Sequence, residues 1–235
     1  MNFLWNEQTI GWFLDAGAYT GFHKKLAQMI IPHLEAGDTL CDLGCGIGRL
    51  DLELAPHVSR LTAVDINESV TELLRRDADN MGIRNLDSVC GDAGSFDGSF
   101  DVLLMSFFGL MNMADMRKLC RRKFIRVVHK KVKEQLHPGD ARNARKETVQ
   151  TVREELEKIG ADYTLETATI EFGQPLRSWL DAERFVRQNA PNSADGEIDG
   201  FLRENLTRTG RDDFPFYLPN PKGIGVFMIN MGDSK

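Results

Sequence analysis

Cysteine is scarce: Cys41, Cys45, Cys90 and Cys120 are the only four in 235 residues, and no two stand at C-x-x-C spacing. That scatter excludes a zinc ribbon, whose thiolates come in close pairs, and a disulfide framework, which needs a dense set. Free thiols, no metal and a cytoplasmic setting are the expectation. Long apolar runs are missing as well. No stretch approaches the roughly 20 residues that cross a bilayer, so no membrane partner is expected. The start, M-N-F-L-W-N-E-Q, lacks the basic segment and apolar run of a secretion signal. Internal repeats and low-complexity linkers are absent too. A positive charge excess is also lacking: the net charge is −6, with a pI near 5.4. That balance weighs against a dedicated nucleic-acid binder.

What remains is a chain long enough for one α/β domain with a substantial core. Its richest segment is D-L-G-C-G-I-G-R-L, Asp42 to Leu50. A short apolar run, Thr39-Leu40-Cys41, precedes it, and Leu50-Asp51-Leu52-Glu53-Leu54-Ala55 follows with helical character. Strand, glycine turn and helix start in that order bring backbone N–H groups close to a small ligand. Gly44, Gly46 and Gly48 fall at every second position. The dinucleotide fingerprint G-x-G-x-x-G would need its third glycine at 49, where Arg49 stands. The turn therefore suits a nucleoside cofactor without requiring a pyrophosphate.

The surrounding pattern alternates. Apolar runs at Thr39–Leu43, Leu61–Ile66, Asp87–Cys90 and Val102–Phe107 predict strands, with a fifth at Phe124–Val128. Glu68–Met81 predicts a helix, with Asn67 as N-cap and Gly82 as its stop. Strands spaced by helices imply βαβ units and a parallel sheet with covered faces. A charged amphipathic helix is predicted over Ala141–Ile159. Tyr163–Phe172 and Ile224–Met231 predict two late strands joining the sheet edge in antiparallel fashion. Two short helices, Asp181–Asn189 and Ile198–Leu206, lie between them. Before residue 37 the chain reads as helical, with a break at Ala16–Gly21 that carries Tyr19 at a bend. One domain over 1–235 is expected, with a helical lid at 1–36, a cofactor-binding core at 37–133 and a C-terminal half at 134–235.

Acids stand where a nucleoside cofactor would need them. Leu61-Thr62-Ala63-Val64-Asp65 is a strand ending in a carboxylate, whose two oxygens can accept from vicinal ribose hydroxyls. The next strand ends Cys90-Gly91-Asp92-Ala93, where an acid can accept from an exocyclic amine and an N–H can reach a purine ring nitrogen. The fourth runs Phe100-Asp101-Val102-Leu103-Leu104 to Ser106 and Phe107. These segments resemble the Rossmann-like class I S-adenosylmethionine-dependent methyltransferases: D-L-G-C-G-I-G at 42–48, V-D at 64–65, G-D-A at 91–93 and F-D-V-L-L at 100–104, in order and at the family's intervals. The resemblance implies a doubly wound α/β fold with a seven-stranded, mostly parallel sheet whose last strand is antiparallel. It also implies S-adenosylmethionine as cofactor, held by Asp42, Gly44, Cys45, Gly46, Asp65, Ile66, Asp92 and Ala93. Ser106 and Phe107 would lie near the methionine portion or the transferred methyl group.

The acceptor is less marked. Methyl transfer mainly needs alignment and exclusion of water, so no catalytic residue is assigned. Tyr19, His23, Phe108, Trp179 and Tyr217 are the candidate substrate residues, with Met111, Asn112 and Met113 after strand four. For Trp5, Trp12 and most of the others, packing is the competing role; for His23, beside Lys24 and Lys25, it is a solvated face. The fourth strand reads M-S-F-F-G instead of N-P-P-Y or D-P-P-Y, which argues against exocyclic base amines as acceptors. A basic stretch at 117–133, including Arg121, Arg122, Lys123 and Arg126, points the other way, to RNA or an acidic partner. Its competing reading is a set of solvated faces offset by acids. Glu134–Asn143 reads as an insertion. A small-molecule acceptor is the expectation, with an RNA or protein methyltransferase, or a non-catalytic cofactor-binding protein, as alternatives. A nicotinamide or flavin dehydrogenase fits worse, because Asp92 would have no task there. No oligomeric state is assigned.

Overall fold

A computed structural model describes residues 5–108, 118–131, 136–138 and 147–232. Its strands, in chain order, are β1 (Thr39–Leu43), β2 (Arg60–Asp65), β3 (Leu86–Cys90), β4 (Phe100–Ser106), β5 (Cys120–His129), β6 (Tyr163–Glu171), β7 (Gln174–Leu176), β8 (Thr207–Arg208), β9 (Phe216–Leu218) and β10 (Pro221–Asn230). The helices are α1 (Glu7–Thr20), α2 (Phe22–Ile30), α3 (Arg49–Leu54), α4 (Glu68–Asn80), α5 (Val149–Lys158), α6 (Trp179–Asn189) and α7 (Asp195–Asn205). Among the described residues no helix is long and apolar enough to cross a membrane.

Two compact units emerge. One comprises His23–Lys131, Glu147–Ala168 and Ile224–Lys235. Its frame is the seven-stranded sheet in the order β3-β2-β1-β4-β5-β10-β6. β1 pairs parallel with β2 and β4, β2 with β3, and β4 with β5. β10 enters antiparallel against β5, Ile224 opposite His129 and Asn230 opposite Lys123. This is the expected doubly wound arrangement with its antiparallel late strand. β1 is almost wholly buried, as a central parallel strand covered on both faces must be. Helix α4 lays Val70, Thr71, Leu74 and Ala78, one helical face, toward the core. Its cap is the predicted one: the Asn67 side chain accepts from the Ser69 N–H at 3.0 Å. Val152 and Leu156 of α5 join Phe124 and Phe227 in the core. Only 147–159 of the predicted 141–159 helical stretch is described, and helix begins at Val149 behind a Thr148 cap.

The other unit comprises Met1–Phe22, Val132–Lys146 and Thr169–Gly223. It holds a three-stranded antiparallel sheet, β7-β9-β8, which the sequence reading did not contain. Trp12 of α1 is buried in this unit's core with Leu176, Phe185, Ile198 and Leu202. Its indole N–H donates to Asp181 at 3.0 Å, and its ring meets Phe185 edge-on. The predicted break at 16–21 narrows to one residue. α1 continues through Tyr19 and ends at Gly21, whose φ of 66° is left-handed. Tyr19 therefore sits in the last turn of a helix and not at a bend.

Candidate functional site

Parallel pairing sets the carboxyl ends of β1 to β4 along one edge: Leu43 lies opposite Val64, Asp65 opposite Cys90, and Asp42 opposite Leu104. In open α/β sheets this edge is where ligands bind. The glycine turn leaves β1 there. Gly44, Gly46 and Gly48 have φ of 79°, 56° and 66°, a region that L side chains enter at a cost of about 1–2 kcal/mol. Space demands glycine as well. A Cβ on Gly44 would run into the ring of Phe108, and one on Gly48 into the side chain of Leu74.

The turn is pinned from beneath. Gly44 and Cys45 donate their N–H groups to the Val64 carbonyl at 2.8 and 3.0 Å, and Gly48 donates to the Cys45 carbonyl at 3.1 Å. Asp65 accepts the Gly46 N–H at 2.9 Å through one oxygen and the Asn67 N–H at 3.0 Å through the other. These loop donors are thus spent inside the protein, and the glycines contribute close approach more than N–H donation. Each Asp65 oxygen retains a lone pair for a hydroxyl, since a carboxylate offers about four acceptor sites. Beside it Ile66 is 63% exposed, an apolar surface at the strand end. Asp92 is exposed and accepts the Gly94 N–H at 3.0 Å, closing the turn after β3; Ala93 is buried. Ser106 and Phe107 end β4 half-buried. Among the described residues Phe107 is the non-glycine residue with a left-handed φ, 54°, and its ring lies 4.8 Å from that of His129. Such strain marks a position held by its surroundings, often at a functional site.

Asp51 escaped the sequence reading. It is fully buried in α3, Asp42 is 2% exposed at the end of β1, and no side chain of the described residues donates to Asp42 Oδ1 or to either Asp51 oxygen. The two carboxyls act on each other. Burial and the neighbouring acid hold Asp42 well above the ordinary carboxylate range, and burial pushes Asp51 up to about 7. Cys45, close to both, is likewise pushed up, chiefly by burial, so it is a protonated thiol.

Residues 40–131 match the family model described as a methyltransferase domain. Over that stretch, less than half of the chain, the protein is similar to methyltransferase domains. Solved structures agree on the fold. The YcgJ protein from Bacillus subtilis is 17% identical over 90% of this chain and 100% of its own, with a TM-score of 0.56. The magnesium protoporphyrin IX methyltransferase from Synechocystis, solved with bound S-adenosylhomocysteine, is 13% identical over 97% of this chain and 90% of its own, at 0.55. A methyltransferase from Aquifex aeolicus is 13% identical over 88% and 96%, at 0.52. The group that such a domain implies, and against which the sheet edge is to be tested, is S-adenosylmethionine. The residues at the sheet edge fit it: a glycine cradle that a Cβ would fill, an acid with acceptor capacity to spare at the end of β2, an exposed isoleucine beside it, and buried carboxylate oxygens that lack donors.

The expected substrate residues fall in both units. In the unit that holds the seven-stranded sheet, Phe108 packs on Gly44, and His23 is half-buried in the first turn of α2. In the other unit, Tyr19 and Tyr217 stack with centroids 5.0 Å apart, and the Tyr217 hydroxyl donates to Glu171 at 2.6 Å. Trp179 packs edge-on to Phe216 and donates to Glu183 at 2.9 Å, a packing role. Met111, Asn112 and Met113 lie outside the described residues, as do Arg117, Lys133 and most of the stretch read as an insertion.

Proposed function

We propose that this protein is an S-adenosylmethionine-dependent methyltransferase that transfers a methyl group to an oxygen, nitrogen or carbon atom of a small molecule. The observation that carries the reading is the state of the basic stretch, because a nucleic-acid acceptor would need its cations free. Arg121 pairs with Asp101 at 2.9 Å, and Arg122 with Glu35 at 3.2 Å and with Asp38. Lys123 donates to the His33 carbonyl at 3.0 Å. Arg126 is buried against Glu147 and Glu155. Position tells against RNA as well. Lys123 pairs with Val102 and Val127 with Ser106, so Arg121–Lys123 stand at the amino end of β5, about 13 Å or more from the strand ends that face the cofactor.

In this reading Asp65 holds the ribose, Ile66, Asp92 and Ala93 flank the adenine, and Asp42, Gly44, Cys45 and Gly46 shape the methionine side. Ser106, Phe107 and Phe108 border the methyl group. When bound, S-adenosylmethionine supplies a carbon already activated by its sulfonium. The protein's part is to align the acceptor and keep water away, work that apolar rings such as Phe108 perform. Calorimetric titration with S-adenosylhomocysteine tests the site: Asp65→Ala should weaken binding by about 1–3 kcal/mol, the worth of hydrogen bonds to a charged acceptor. Radiolabelled methyl transfer to fractionated cell extract tests the acceptor. Label is expected in the small-molecule fraction; label in RNA or protein would overturn this reading, and none in any fraction would favour a non-catalytic role.

A further inference from the structure

We infer that Asp51 and Asp42 form one proton-sharing carboxyl pair at the base of the glycine turn, and that this pair makes the site prefer the sulfonium S-adenosylmethionine over its uncharged thioether product. The inference rests on the assignment of the glycine turn to the methyl donor. Asp42 is the last buried polar residue of β1 before the turn, and Asp51 comes three residues after Gly48, in the first turn of α3. Both are out of water, and among the described residues no other side chain donates to Asp42 Oδ1 or to the Asp51 oxygens. A buried carboxylate without donors or a counter-charge is costly, and its partner's charge makes it worse. One proton held between the two relieves both and leaves a single negative charge.

Among the described residues, the groups around the pair supply little compensation beyond a backbone hydrogen bond to Asp51. Asp65 on β2 acts on Asp42, and Cys41 on β1 and Cys45 in the turn lie close to both acids; none is cationic. The basic residue of α3, Arg49, is engaged with Asp77 of α4 at 3.1 Å. No cationic side chain of the described residues is among the groups that act on either acid. A ligand that brings a positive charge there completes what the protein leaves out. S-adenosylmethionine carries a sulfonium that S-adenosylhomocysteine lacks, while both carry the same α-amino and α-carboxyl groups.

Linkage makes this measurable. A cation beside the pair favours loss of the shared proton, so its binding releases protons and tightens as pH rises, by at most about tenfold per pH unit for one proton. Calorimetry of the whole chain at pH 7, in two buffers of unlike ionisation enthalpy, reads that release directly. S-adenosylmethionine should release more protons than S-adenosylhomocysteine. Asp51→Asn, which leaves one carboxylate with an amide donor, should abolish the difference and reduce the affinity ratio of the two ligands by about three- to tenfold. Equal release by the two ligands in the native protein, or an unchanged difference in Asp51→Asn, would overturn the proposal. Should that variant fail to fold, Asp42→Asn and the native-protein comparison decide it. Folded native protein that binds neither ligand would remove the donor site itself, and the pair's role with it.

Discussion

At the scale of single residues, Gly44 is the most demanding position. Its left-handed φ and the Phe108 ring against its α-carbon each exclude a side chain, for separable reasons. Gly44→Ala should lower stability by about 1–3 kcal/mol through backbone strain and overpacking, and should weaken S-adenosylhomocysteine binding as well. Adding Phe108→Ala should recover the packing part and leave the strain. Thermal melts and calorimetry of the single and double variants check this, and a double variant no better than the single would show that the ring is not the obstacle. Asp65 was legible because a motif and a strand end coincide on it. Asp51 was not: in L-D-L-E-L, Glu53 is exposed and Asp51 buried. Only the packing of α3 on the sheet decides which acid faces inward.

Elements were legible where periodicity and caps agreed. β1 to β4 and α4 lie within a residue or two of their sequence-based bounds, because the central strands β1 and β4 are mostly buried apolar runs and α4 carries its own cap, while the edge strand β3 is bounded by its place between α4 and the Gly91-Asp92 turn. In β5 the strand was legible, Phe124–Val128 lying within Cys120–His129, but the burial of its charges was not. K-F-I-R-V-V-H-K-K reads as a solvated basic stretch, yet Arg126 is only 2% exposed, bonded to Glu147 and, at 2.8 Å, to Glu155. Its acids lie 21 and 29 residues further along the chain, out of reach of local pattern. An ion cluster built on a buried arginine costs much to break and little to replace. Arg126→Ala should destabilise the protein by about 3–5 kcal/mol, since it strands Glu147 and opens a cavity. Arg126→Met with Glu147→Gln should cost far less in urea denaturation. Equal losses would mean that the charges are not coupled as the geometry implies.

On the scale of the whole molecule, the buried acids set a slope of stability against pH. Unfolded, Asp51 ionises near its ordinary value of 3.8; folded, it holds its proton up to about 7, and Asp42 and Glu147 are shifted the same way. Between those values the native state binds more protons than the unfolded chain, so stability falls as pH rises from about 4 to 7. Asp213, lowered to about 2 by Arg211, and Asp101, lowered by Thr39 and Arg121, act in the opposite sense below pH 4. Urea midpoints measured from pH 4.5 to 8 should therefore decline with pH in the native protein and flatten in Asp51→Asn. A midpoint rising over that range would contradict the burial of the pair.

Sequence alone determined the parallel core of the large sheet. Glycine spacing, two acids at consecutive strand ends and alternating apolar runs are local signals, and local conformation obeys them. The small sheet β7-β9-β8 was beyond that reach, its strands being only two or three residues long, too short to show a period. Tertiary structure decided which charges are buried. It turned Arg126 from a surface cation into a core residue, spent Arg121 and Arg122 on acids, and set Asp51 against Asp42. Burial belongs to the packed faces of several elements at once, and no single segment of chain carries it.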